Sequence, residues 1–334
     1  MDPTIEAAVA MALSVANRYD SDDFDPALIA ELNSLSEKQL GPARKLLAEQ
    51  LSEVTDPIGA GYLAVWLGGE VEEGSDPGET GWAVLQAMLR WTRTIVTVDD
   101  DSDVEEPEPD PSVIEGLQNF GRSVVAHLTR SQELCERLKS DRAKQEEIYR
   151  IDHLSYGCMW VAEILRHSSG EMTILHIESR KGVRIRYENF GNAFHFFTVL
   201  QSTLKGVIPG AKPASPNTLN AALGKTEVSQ GLSDGSCWHY GQPTCNEPDL
   251  AASVWGEGTL DEIQIVDDTQ VMLLWPPIVE SRTWDGGFFG PIIHAALPQV
   301  EVVGTLSSEE VDHWFERLNL KSRKEAKSFW QFWK

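Results

Sequence analysis

The sequence predicts a multidomain α+β protein. An all-helical N-terminal part, either a bundle or an irregular helical-repeat-like array, precedes a mixed or antiparallel sheet with helices packed on one face. Three observations predict it. Apolar residues recur at helical spacing through residue 167. Asp-Pro pairs punctuate the first 111 residues in the manner of helix starts. After Ser168-Ser169-Gly170 the apolar period changes from 3.6 to 2.

The pairs are Asp2-Pro3, Asp25-Pro26, Asp56-Pro57, Asp76-Pro77 and Asp110-Pro111. An Asp side chain accepts from the free amides of a first helical turn, and Pro fits the first helical position because its missing N–H would be unpaired there. Residues 3–18 carry Ile5, Val9, Ala12, Leu13 and Ala16 at helical spacing; residues 37–54 carry Leu40, Leu47, Leu51 and Val54; residues 79–97 carry Trp82, Leu85, Met88, Leu89 and Ile95. Gly68-Gly69 and the acidic stretch 72–76 are expected to break the helices between them. The helices can pair as hairpins, 26–35 with 37–54 and 57–67 with 79–97, which suggests a helical-repeat array. The pair spacings are too irregular for a true repeat, and a compact bundle fits equally well.

Residues 99–111 combine eight acids with three prolines and read as a solvated linker. Ser112 and Glu115 resemble a capping box for a helix carrying Leu117, Phe120, Val124 and Leu128. The apolar run Met159, Trp160, Ala162, Ile164, Leu165 predicts a buried helix.

Residues 172–178 read as a strand, 179–182 as a turn, and 183–187 as a second strand. Val183, Ile185 and Tyr187 face inward and Arg184 and Arg186 outward. Asn192 is placed to cap a helix running to about Leu204, with Gly206 beyond it. A short helix near 217–223 follows a Pro-rich stretch. Further strands are expected at 236–240, 263–266, 270–275 and 299–304, and Ser307 with Glu310 forms a capping box for a last helix. The expected divisions are 1–98 (acidic helical), 99–111 (linker), 112–170 (helical segment), 171–320 (α+β) and 321–334 (basic aromatic tail).

The chain has 334 residues, 41% of them apolar and 24% charged, enough for a sizeable core. No apolar run approaches the roughly 18 residues a membrane helix needs. The N-terminus has no positive leader, so no secretory signal is expected. Four unpatterned cysteines (Cys135, Cys158, Cys237, Cys245) suggest a reducing, cytoplasmic setting. The net charge is −24. Residues 1–110 hold 24 Asp or Glu against 6 Lys or Arg, a net of −18, and residues 111–334 hold 28 against 22, a net of −6. Such a surface repels nucleic acid and anionic lipid and attracts a basic protein partner. The same acidity also serves solubility.

Four groups of residues invite a chemical reading. Cys237 and His239 would share a strand face and, with Cys245 or Asp249, reach one metal; the C-x-H-x5-C spacing matches no common zinc pattern, so no cofactor or metal is expected. Cys237 with His239 as base is the nucleophilic alternative. Arg180, Lys181, Arg184 and Arg186 form a basic spot, suited to a carboxylate or phosphate, to solvent, or to docking of the acidic N-terminal part. The loops holding Trp255 and Glu257, and Arg282, Trp284 and Asp285, are Gly- and aromatic-rich and suit a binding pocket. His176, His195 and His294 are isolated, and HExxH and GxSxG are absent. Residues 321–334 hold five positive charges, one negative and four aromatics, fitting a protein partner, packing on the parent domain, or a membrane or nucleic-acid contact.

The leading expectation is a non-enzymatic interaction or regulatory protein, its acidic helices the binding surface and its α+β part a platform. The alternatives are a hydrolase or transferase acting on a small molecule in the C-terminal part, and a structural or assembly subunit.

Overall fold

The computed structural model describes residues 2–19, 24–95, 108–228, 233–244, 247–279 and 283–320. The chain forms two compact units: Met1–Leu165 with Ile293–Ala295, and Arg166–Ile292 with Ala296–Lys334. The fold is α+β, a helical region followed by a mixed six-stranded sheet with helices.

The helical unit contains α1 (Pro3–Ala16), α2 (Ala30–Asn33), α3 (Glu37–Gln50), α4 (Pro57–Glu72), α5 (Gly81–Thr92), α6 (Pro111–Arg130), α7 (Gln132–Lys139), α8 (Arg142–Tyr149) and α9 (Tyr156–Leu165). Every Asp of the five Asp-Pro pairs caps a helix or 3₁₀ turn, with Pro in the first turn. Asp56 accepts from the Gly59 amide at 2.7 Å and Asp110 from the Ser112 amide at 2.9 Å.

Three local expectations are corrected. Ser112 is not a cap: Asp110 starts α6, and Ser112 lies inside its first turn. Gly68-Gly69 does not break α4, which runs through both residues to Glu72. Of the two helical arrangements weighed, the hairpin pairing does not form. α4 lies chiefly along α6, α5 also packs on α6, and α1 takes both α2 and α3.

The reason is close approach. A Cβ on Gly68 would stand 2.9 Å from Ser123 Cα, one on Gly61 2.9 Å from the Gly116 carbonyl oxygen, and one on Gly116 2.4 Å from that of Pro57. These glycines are a packing seam rather than punctuation. Their helix-propensity cost, about 1 kcal/mol each, is offset by backbone-to-backbone contact. The α6–α9 crossing is tighter, with Gly121 against Gly157. Around the seam Leu117, Phe120, Val124 and Leu128 are buried as their spacing predicts.

A polar chain threads this core. His127 Nδ1 lies 2.7 Å from the Ser123 carbonyl and so donates, leaving Nε2 to accept from Thr80 Oγ1 at 2.9 Å. Burial lowers the His127 pKa below its ordinary value.

The second unit contains β1 (Ser168–His176), β2 (Lys181–Phe190), α10 (Ala193–Thr203), α11 (Pro216–Ala222), β3 (Ser233–Gly235), β4 (His239–Gly241), β5 (Ile265–Val266), β6 (Thr269–Trp275), β7 (Thr283–Asp285), β8 (Gln299–Thr305) and α12 (Ser308–Arg317). The main sheet has the order β4-β6-β1-β2-β8, with β5 also paired to β6; β3 and β7 form a separate ribbon. β1 is parallel to β6, and the other main-sheet pairs are antiparallel. β5 and β6 are joined by Asp267-Asp268, both at positive φ, a two-residue turn whose twist suits a hairpin.

The predicted hairpin alternation holds. Val183, Ile185 and Tyr187 are buried, and Arg184 and Arg186 are exposed. On that inner face the strands meet α10, whose residues 193–201 are all buried. Asn192 caps α10 by accepting from the His195 amide at 2.9 Å, and Gly206 takes φ +80 just beyond its end. The other face holds a smaller core of Leu175, Val271, Leu273, Trp275, Val311 and Phe315, closed by α12. The Ser307–Glu310 capping box opens α12 as predicted.

The strand expected at 236–240 begins only at His239. Ser236 Oγ bonds the Trp238 carbonyl, which bends the chain and turns Cys237 away from the ladder.

Candidate functional site

The described basic spot is paired within its own unit. Arg180 meets Asp312 and Arg184 meets Glu310, each at 2.6 Å, both acids on α12. Arg186 meets Glu171 on the neighbouring strand at 2.9 Å. The Ser307 backbone amide and then Arg184 pull the Glu310 carboxyl down to about 2. Arg180 also lies over the Phe315 ring, 4.1 Å from its centroid. Lys181 is exposed. An open groove of about 640 Å³ beside Arg184 is lined by Asp267, Glu309, Glu310, Asp312 and Glu316, an acidic rather than a basic surface.

Cys237 and His239 are not brought onto one strand face. Cys237 lies before β4, where its thiol approaches Gln201 Oε1 at 3.5 Å beside the Tyr240 hydroxyl at 3.3 Å. His239 is opposite Trp275 in the ladder, so it belongs to the α12 side of the sheet, whereas Tyr240, opposite Leu274, belongs to the α10 side. Cys245 and Arg282 lie outside the described residues. Among the described residues no group of three His, Cys, Asp or Glu is arranged to hold a metal ion.

The two aromatic loops do come together, at the N-terminal end of α10. The Phe194 amide donates to the Gly256 carbonyl at 2.8 Å, and the Ala193 amide to that of Gly258 at 2.9 Å. The Asn192 side-chain amide donates to the Phe288 carbonyl at 2.6 Å. The Phe194 ring stacks on Trp284 at 5.2 Å and touches Phe288 at 5.4 Å. It lies so close over Gly256 that a Cβ there would meet ring carbons at 2.1 Å. Trp284 is buried and donates from Nε1 to Thr198 Oγ1 at 2.8 Å. Trp255 and Phe288 are about half exposed, at 55% and 50%. Asp285 is exposed, its carboxylate accepting from the Gly287 amide at 2.8 Å, and Glu257 is exposed.

Sequence reasoning picked out Trp255, Glu257, Trp284 and Asp285 and the loop that holds Phe288, but missed Phe194, the ring that joins them, and the tether role of Asn192. Asn192 was legible only as a cap. Its second bond spans 96 residues of sequence, and no local signal encodes that.

His195 follows on the same helix, wholly buried between Phe190 and Phe289. Its Nε2 donates to the Ala222 carbonyl at 2.5 Å, and burial pushes its pKa down to about 4. His176, at the end of β1, is lowered by the same cause.

Compared with protein-family models, curated proteins and solved structures, the chain matches none. No helix among the described residues is long and apolar enough to cross a membrane.

Proposed function

We propose that the protein is a non-catalytic interaction or regulatory protein of the cytoplasm. Its acidic helical unit takes up a basic partner and its α+β unit serves as the platform. The observation that carries this reading is the uncompensated charge of residues 1–110, a net of −18. Glu6, Glu31, Glu37, Glu49, Glu53 and Glu73 are exposed on helices or 3₁₀ turns or just after them. Three of the nearby cations are spent internally: Arg44 on Glu70, Lys45 on Glu79, and Arg90 on the Val54 carbonyl. A field of this sign steers basic surfaces in and keeps phosphate backbones out. The buried free thiols of Cys135 and Cys158 accord with a reducing compartment.

The test uses the full chain, because removing residues 1–110 would strip α6 of α4 and α5. A partner captured from the native host and identified by mass spectrometry is titrated against the wild type and against a variant with Glu31, Glu37, Glu49, Glu53 and Glu73 changed to Gln. The expected result is affinity that falls with salt and falls at least tenfold in the variant. Affinity indifferent to both would refute the reading.

A second reading, a small-molecule enzyme, draws support from the convergence of the Trp255–Glu257 and Trp284–Asp285 loops on α10. Native mass spectrometry of the full chain from its host, showing a bound metabolite that is lost in Glu257→Ala, would favour it over the first.

A further inference from the structure

The loops at the N-terminal end of α10 form an aromatic shelf set in acid. Trp255 and Phe288 stand half exposed on segments tied down by three hydrogen bonds, from Ala193, Phe194 and Asn192. The rings are therefore held outward by a rigid backbone rather than left on a loose loop. Glu257, two residues from Trp255, and Asp285, three residues from Phe288, are exposed, and residues 247–262 hold no Lys or Arg. An occupant of this surface needs cations for the carboxylates and for the ring faces, and flat apolar groups to cover the aromatics.

One segment of the chain has that composition. Residues 321–334 carry Lys321, Arg323, Lys324, Lys327 and Lys334 against Glu325, with Phe329, Trp330, Phe332 and Trp333. They follow Leu320, which is buried in the core under α12 of the same unit. Leu320 belongs to the core on the α12 side of the sheet and the shelf to the α10 side; fourteen residues reach up to about 45 Å when extended, against a diameter of about 40 Å for a compact unit whose radius of gyration is about 15 Å. Length therefore does not keep the segment from the shelf.

We infer that residues 321–334 dock in cis on the shelf formed by Trp255, Phe288, Glu257 and Asp285. This inference is independent of the role proposed for the helical unit. The shelf is thereby a site for cationic, aromatic peptide segments, of which residues 321–334 are the resident one.

Limited trypsin digestion of the full-length protein, followed by mass spectrometry, tests it. The cleavage sites are Lys321, Arg323, Lys324 and Lys327, and a synthetic peptide containing residues 318–334 sets the unprotected rate. At low salt the sites should be cut at least tenfold more slowly in the protein than in the peptide. Protection should disappear in 0.5 M NaCl, in Trp255→Ala/Phe288→Ala and in Glu257→Gln/Asp285→Asn, with far-UV circular dichroism confirming that the variants fold. Equal rates in protein and peptide at low salt would overturn the inference, as would protection that persists unchanged in both variants. Protection that grows with protein concentration would assign the segment to a second copy and overturn docking in cis.

Discussion

Gly69 and Gly121 look alike in the sequence and should respond to alanine with opposite signs. A Cβ on Gly121 would lie 2.3 Å from the Gly157 carbonyl carbon, 2.5 Å from its oxygen and 2.6 Å from its Cα. Carbon contacts are comfortable at about 3.5 Å or more, so α6 and α9 would have to separate by about 1 Å. Every clashing atom is backbone, and no rotamer change relieves it. Overpacking of this kind costs about 1–3 kcal/mol, here at the upper end. The gain in helix propensity returns about 1 kcal/mol, leaving Gly121→Ala destabilised by about 2 kcal/mol. A Cβ on Gly69 meets nothing within 4 Å, so Gly69→Ala keeps the propensity gain of up to about 1 kcal/mol. For a unit of this size the two changes correspond to a Tm fall of about 4–8 °C and a rise of about 2–4 °C. Thermal and urea unfolding followed by circular dichroism measures both. A Gly121→Ala protein as stable as the wild type would show that the α6–α9 crossing is not the close backbone contact described.

Three further outcomes follow from the same structure. Buried neutral histidines make stability depend on pH. His195 is near 4 folded and about 6.5 unfolded, so the unfolded chain alone takes up its proton between those values, and up to about 3 kcal/mol present above pH 6.5 is lost as pH falls toward 4. His127 and His176 act in the same direction. In 0.5 M salt, which screens the net charge, Tm should drop between pH 7 and 5, and a flat profile would refute the assignment. Asp56→Ala removes the cap on the Gly59 amide and should cost about 1 kcal/mol in urea unfolding, whereas Asp56→Asn should cost much less. Arg184→Gln breaks an ion pair whose partners are 51% and 42% exposed, so its effect should stay below about 1 kcal/mol. A larger loss would mean that the pair does more than decorate the sheet.

Much of this was legible locally. Asp-Pro starts, the Asn192 cap, the Ser307–Glu310 box and the Val183/Ile185/Tyr187 alternation each depend on residues within a few positions of one another. Their physics is complete inside a single turn or strand. The net charge and its concentration in residues 1–110 are also properties of sequence alone, and they carry the proposed function.

What only the tertiary structure decided involves partners distant in the chain. Gly68-Gly69 reads as a breaker because glycine is costly in a helix. It is retained inside α4 because Ser123, 55 residues later, leaves no room for a Cβ at position 68. Cys237 and His239 share a face only if the chain is extended through both, and a hydrogen bond at Ser236 ends that regularity. Arg180 and Arg184 look free until α12, more than 120 residues on, brings Asp312 and Glu310 to them. The aromatic shelf exists because Phe194 lies beside Gly256, Trp284 and Phe288 at once. Period and capping report on the nearest neighbours along the chain, whereas close approach and pairing across a sheet depend on residues that only folding makes neighbours.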